Sequence, residues 1–132
     1  MDILLLIGRV LFSLIFLASA MGHFKNAEGM AGYAASKGVK NAKPLVQLTG
    51  LMLLVGALSV LLGIYAQYGV LLLIAFLIPT SFIMHAFWKE SDPMAKMNEQ
   101  VAFFKNLGLI GGALFLYVLL EVHGDMGFFI LN

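Results

Sequence analysis

The chain has 132 residues, 61% hydrophobic and 11% charged, with a mean hydropathy of +0.97 and a formal net charge of +1. Soluble domains carry roughly 25% charged residues, and a short chain has too little interior to hide so much apolar side chain, so lipid is the solvent that suits it. The near-neutral balance excludes a basic nucleic-acid surface, and the absence of cysteine excludes disulfides, thiolate nucleophiles, iron–sulfur clusters and thiolate zinc sites.

Four apolar runs, at about residues 3–24, 44–66, 68–88 and 101–122, each have roughly the 20 residues that cross a 30 Å hydrocarbon core as a helix. Backbone amides in lipid need internal partners, and the alternation of a β-barrel is missing, so the runs are predicted to be helices. The expectation is one all-α domain over residues 1–132, a four-transmembrane-helix bundle with a short interfacial helix between helices 1 and 2.

The first run ends in Ala18-Ser19-Ala20, which resembles a signal-peptide cleavage site. Asp2 stands where such signals carry a cation and Arg9 interrupts the run, so a retained anchor is predicted. In the connection from Lys25 to Lys43, Met30, Tyr33 and Ala34 fall on one side of an Ala-rich helix lying along the interface, which Gly38 ends. The second and third runs are separated by little more than Gln67, so they form a tight antiparallel hairpin. Pro79 is expected to bend the third helix, with Thr80 and Ser81 satisfying the freed carbonyls. Ser91-Asp92-Pro93 is a helix start, with Asp92 as cap and Pro93 in the first turn. Gly50 and Gly56 in the second run, and Gly108, Gly111 and Gly112 in the fourth, are expected to let helices approach closely.

Lys25, Lys37, Lys40 and Lys43 lie in the first connection and Lys89 and Lys96 in the third, whereas the second connection and the tail after Glu121 have neither Lys nor Arg. The positive-inside rule then places both lysine-bearing connections in the cytoplasm and both termini outside, weakly opposed by Arg9.

Polar groups in hydrocarbon are costly, so each is a candidate. Arg9 and Glu121, on the first and fourth helices, are expected at similar depth near the outer side as a structural ion pair. Toward the other side, His23, Lys25, His85, Trp88, Gln100, Lys105 and Asn106 are expected in one layer. Ser81, His85 and Lys89 recur at i, i+4 and i+8 on one helical face. Ringed by Phe24, Phe82, Phe87, Phe103 and Phe104, such a layer forms a polar pocket for an amphipathic ligand with a flat head and a greasy tail, a description that fits a membrane quinone. The ligand-binding candidates are His23, His85, Trp88, Lys105 and Asn106. The plainer alternative uses each up singly, as interhelical hydrogen bonds or snorkelling ends. No metal site is expected, His23 and His85 have no spacing motif for haem, and no nucleophile-and-base or phosphate-cradling pattern is present.

Arg9 within the first run, the stretch Phe16-Leu17-Ala18-Ser19-Ala20-Met21-Gly22-His23-Phe24-Lys25, the Tyr33-to-Val39 segment, His85-Ala86-Phe87-Trp88, and Phe103-Phe104-Lys105-Asn106-Leu107-Gly108-Leu109-Ile110-Gly111-Gly112 together resemble the DoxX family of bacterial inner-membrane proteins. The resemblance extends over nearly the whole chain, and its most specific piece is the Phe-Lys-Asn-Leu block with the glycines after it. It implies a four-helix inner-membrane bundle. A related branch includes the small subunit of an archaeal thiosulfate:quinone oxidoreductase, and other members are linked to membrane-associated oxidative-stress complexes. The family's polar positions match Arg9, His23, Lys25, His85, Lys105 and Asn106. The function so implied is a redox-associated or quinone-linked membrane subunit, fed with electrons by partner membrane or peripheral subunits or by a bound organic cofactor. The alternatives are a non-catalytic accessory subunit anchoring a larger complex and, more remotely, a small-solute carrier. Whether the chain is itself an enzyme is left open by its residues.

Overall fold

The computed structural model describes residues 2–123. The lysine-free tail beyond them, expected outside the cytoplasm, lies outside the described residues. The elements run α1 (Asp2–Lys25), α2 (Ala27–Ser36), α3 (Ala42–Leu62), α4 (Ala66–Met84), one 3₁₀ turn (Phe87–Lys89) and α5 (Pro93–His123). The described residues are helical without strands, and α1, α3, α4 and α5 are each long and apolar enough to cross a membrane. The predicted all-α architecture of four spanning helices with a short helix between the first two is the one observed.

The inner faces follow a seven-residue rhythm. Arg9, Ser13, Phe16, Ala20 and His23 are the buried residues of α1, and Glu99, Phe103, Asn106, Ala113 and Leu120 those of α5. Alternating steps of three and four keep a stripe on one side of an α-helix, as in left-handed bundles. In α3 the same spacing buries Val46, Gly50, Leu53, Ala57 and Val60. The opposite faces are large and apolar, with Phe115 80% and Leu11 63% exposed. Water would not tolerate patches of that size, and lipid does. The chain is therefore a multi-pass membrane protein whose outward faces meet the bilayer.

Helices pack in the order α1, α3, α4, α5, with α2 laid across the ends of α1 and α3. The hairpin between α3 and α4 is closest where Gly56 meets Gly69. A Cβ on Gly69 would stand 2.5 Å from the Ser59 Cβ and 3.0 Å from the Gly56 carbonyl oxygen. The turn lies earlier than the sequence suggests: α3 stops at Leu62, Gly63 takes a φ of 71° and Tyr65 one of 49°, and α4 begins at Ala66, so Gln67 is already helical. The Ser59 hydroxyl reaches the Ile64 carbonyl at 2.6 Å and ties off the turn.

Gly50 behaves as expected, since a Cβ there would lie 2.7 Å from the Cβ of His23. The glycines of α5 do not. Nothing lies within 4 Å of a Cβ on Gly108 or Gly111, and Gly112 would meet only a Phe12 ring carbon at 3.9 Å. They sit off the buried stripe of α5, which passes through Asn106 and Ala113, so the close-packing expectation is corrected for this helix.

α2 ends as anticipated. Gly38, at a φ of 89°, gives its N–H to the Ala35 carbonyl and Val39 reaches back to Ala34, the pair of bonds that closes a helix over a left-handed residue. Asp92 caps α5 by accepting the Ala95 N–H at 2.9 Å, with Pro93 as the first helical residue. Pro79 lies inside α4 without ending it, and the Ser81 hydroxyl donates to the Leu77 carbonyl at 2.6 Å.

Candidate functional site

Beyond the Gly56–Gly69 contact, toward the α2 end of the bundle, α3 from Ala42 to Met52 and α4 from Ala75 to Met84 line a common space. The space between them is a cavity of about 710 Å³ walled by all five helices. Most of the wall is apolar surface from α2, α3 and α4, including Met30, Val46, Met52 and Phe76. Leu48, Pro79 and Ile83 are at once on this wall and exposed, so the cavity opens sideways to lipid between α3 and α4.

His23, His85, Lys105 and Asn106 reach this wall from α1, the end of α4 and α5. His23 is 5% exposed and its Nδ1–H donates to the Ser19 carbonyl at 2.7 Å. Its ring stands edge-on to Phe76 at 5.8 Å between centroids. Asn106 is 4% exposed, and its carboxamide has no hydrogen-bond partner among the described residues. Pro79 brings a further acceptor, because it has no N–H to give the Ala75 carbonyl, and Ala75 also lines the cavity.

Trp88 takes another place. It packs with Phe82, Phe87 and Phe103 at centroid distances of 5.2–6.3 Å, and Phe104 joins the same group through Phe103 and Phe87. Phe82, Phe87, Phe103 and Phe104, expected to ring the pocket, are thus stacked on one another beside α5 and not on the cavity wall, and Phe24, expected with them, lies against Gly50 of α3. The cause is the end of α4: the helix stops at Met84, and the following 3₁₀ turn swings Phe87 and Trp88 onto α5. The same break separates His85 from Lys89, which do not continue the helical face of Ser81.

A residue not singled out in the sequence holds His85. Glu99, 9% exposed, accepts from His85 Nδ1 at 2.7 Å through one oxygen and from the Tyr33 hydroxyl through the other. The legible signal was its register, since Glu99, Phe103 and Asn106 share one stripe, but the apolar run begins after Glu99 and hides it. Tyr33 lies on α2, outside the spans, and burial, then the hydrogen bond and charge of Glu99, push its phenol above its ordinary pKa and keep it a donor. Lys37, one turn later, pairs with Glu90, and that bond is the main cause raising its ammonium. α2 is thereby tied to α5 and to the segment after α4.

At the far end of the bundle, Arg9 is 3% exposed and donates from Nε to the Val60 carbonyl at 3.2 Å and from Nη2 to Leu61 at 2.7 Å. It thus caps the last turn of α3 with a cation. Glu121 accepts from Gln67 Nε2 at 3.0 Å. The described residues contain no group of three or more His, Cys, Asp and Glu that could hold a metal ion.

A family model described as DoxX matches residues 4–86, which include Arg9, His23 and His85 and run from α1 to the end of α4. The chain belongs to the DoxX family. The DoxX match stops before α5, so the Phe-Lys-Asn-Leu block lies beyond it, and Glu99, Lys105 and Asn106 join the site through packing against the matched helices. Searches of curated proteins and of solved structures give no significant match. For this DoxX protein the site therefore rests on its own geometry.

Proposed function

We propose that this DoxX-family protein is a redox-associated, quinone-linked subunit of the bacterial inner membrane that binds the head group of a lipophilic ligand in the cavity at its α2 end. Asn106 carries the reading. A carboxamide buried without a protein partner beside an apolar chamber open to lipid suits a ligand with a polar head and a hydrocarbon tail. His23, His85 and Lys105 supply the other polar contacts on that wall, and the opening past Leu48 and Pro79 lets the tail remain in the bilayer. Trp88, in the aromatic group behind His85, stiffens the wall. Electrons come from a partner subunit or a bound organic cofactor, since the chain has no cysteine to hold an iron–sulfur or thiol redox centre of its own. The accessory-subunit reading expects interhelical bonds to consume every polar residue, and Asn106 favours the ligand over it.

Extraction of the protein purified in mild detergent is expected to yield a stoichiometric isoprenoid lipid, detected by mass spectrometry. Asn106→Leu is expected to lower that occupancy by about tenfold, the equivalent of one lost hydrogen bond near 1.4 kcal/mol, without lowering thermal stability. An empty wild-type protein together with a destabilised variant would return Asn106 to a packing role.

By the positive-inside rule, the lysines of the two connections at the α2 end support a cytoplasmic cavity with both termini outside. The cysteine-free sequence makes this simple to check with Ser36→Cys and Tyr68→Cys. An impermeant maleimide applied to spheroplasts is expected to label the cysteine at 68 and spare that at 36. The reverse pattern overturns the orientation.

A further inference from the structure

The two histidines on the cavity wall are alike in one respect that selects among ligands. His23 Nδ1 lies 2.7 Å from the Ser19 carbonyl oxygen, and His85 Nδ1 lies 2.7 Å from a Glu99 carboxylate oxygen. A carbonyl and a carboxylate only accept, so in both rings Nδ1 carries the proton. A neutral imidazole has one N–H, which leaves Nε2 as a bare acceptor in each. The rings come from different helices and line the same chamber.

Other wall groups add to the imbalance. The Thr49 hydroxyl spends its proton on the Leu45 carbonyl at 2.8 Å, which leaves its oxygen as an acceptor. The Ala75 carbonyl lacks a helical donor because Pro79 follows four residues later. Against these acceptors, the donors on the wall are the buried Asn106 carboxamide, which also accepts, and the exposed Lys105 ammonium.

Resting on the reading that the cavity is a ligand site, we infer that it takes the hydroxyl-bearing, hydroquinone-type form of a ring head group, which donates O–H to Nε2 of His23 and of His85. An oxidised quinone offers only carbonyl oxygens and would set lone pair against lone pair at both rings. A site built from acceptors rejects a ligand without donors, because its own polar groups are then left unpaired. Glu99 acts as a positioning residue: it fixes the tautomer of His85, and the Tyr33 hydroxyl on its other oxygen holds the carboxylate in place.

The test compares three decyl-chain probes on the purified full chain under anaerobic conditions: a hydroquinone, the corresponding benzoquinone, and the hydroquinone dimethyl ether, which keeps the shape without the donors. Equilibrium binding is expected to favour the hydroquinone by about a hundredfold over each of the others, about tenfold for each of the two rings left without a donor. His23→Phe is expected to cut that preference to about tenfold. Glu99→Gln can donate an amide N–H to His85 Nδ1 and so reverse the ring's tautomer, which is expected to shift the preference toward the benzoquinone. A merely structural Glu99 would weaken all three probes alike. Equal binding of the three probes overturns the inference and leaves the ligand site standing. Binding of none of them, with Asn106→Leu also silent, overturns both.

Discussion

Glu99→Leu is expected to destabilise the protein by about 2–4 kcal/mol. The substitution removes the acceptor of two donors at once, and each donor stranded away from water costs about 1–3 kcal/mol. His85, with 22% of its side chain exposed, bears the larger part, whereas Tyr33 is 44% exposed and can turn its hydroxyl toward water. The loss also severs a tie between α2 and α5, so α2 amides are expected to exchange hydrogen faster than those of α3. Reversible unfolding in mixed micelles measures the first effect and hydrogen exchange the second. Glu99→Gln, which keeps an acceptor oxygen and the shape, is expected to recover at least half of the stability. A leucine variant within about 0.5 kcal/mol of wild type, the usual range for surface changes, would show that the carboxylate bears no structural load.

The hairpin gives the second large effect. Gly69→Ala is expected to cost about 1–3 kcal/mol, the range for overpacking a tight contact. The added Cβ would overlap the Ser59 hydroxyl oxygen and lie 3.0 Å from the Gly56 carbonyl oxygen. Ser59 cannot withdraw freely, because its hydroxyl ties the Ile64 carbonyl in the turn. The helices must therefore separate at the contact beyond which the cavity lies, and ligand occupancy is expected to fall with stability. Gly108→Ala makes the contrast: a Cβ there meets nothing within 4 Å, and alanine is the better helix former by up to about 1 kcal/mol. The two changes are expected to have opposite signs in the same unfolding measurement. Equal effects would remove the case that the Gly56–Gly69 contact sets the α3–α4 geometry.

The difference between these glycines illustrates what a reading of the chain could and could not reach. All of them are small residues in apolar runs, and composition treats them alike. Their roles separate only by angular position, because Gly56 and Gly69 face each other across the hairpin whereas a Cβ on Gly108 or Gly111 would meet nothing within 4 Å. The helix starts and stops were more legible, since Gly38 and Asp92 act through backbone bonds to residues a few positions away. The end of α4 was not. Apolar character runs on through Trp88, but the helix stops at Met84, and the aromatic residues behind it leave the cavity wall for α5.

The sequence by itself determined the solvent and the number of spans, because these depend on how much apolar side chain the chain carries and on local runs of about 20 residues, and it carried the family resemblance in short motifs such as the stretch from Phe16 to Lys25. It also marked His23, His85, Lys105 and Asn106 as polar groups kept at a cost in hydrocarbon. Only the tertiary structure decided that these four share one chamber, that Trp88 stands apart, and that Glu99 and Tyr33 hold His85. Such pairings depend on the rotation and depth of each helix against its neighbours. Those are set by contacts between residues tens of positions apart, and no local pattern in the chain encodes them.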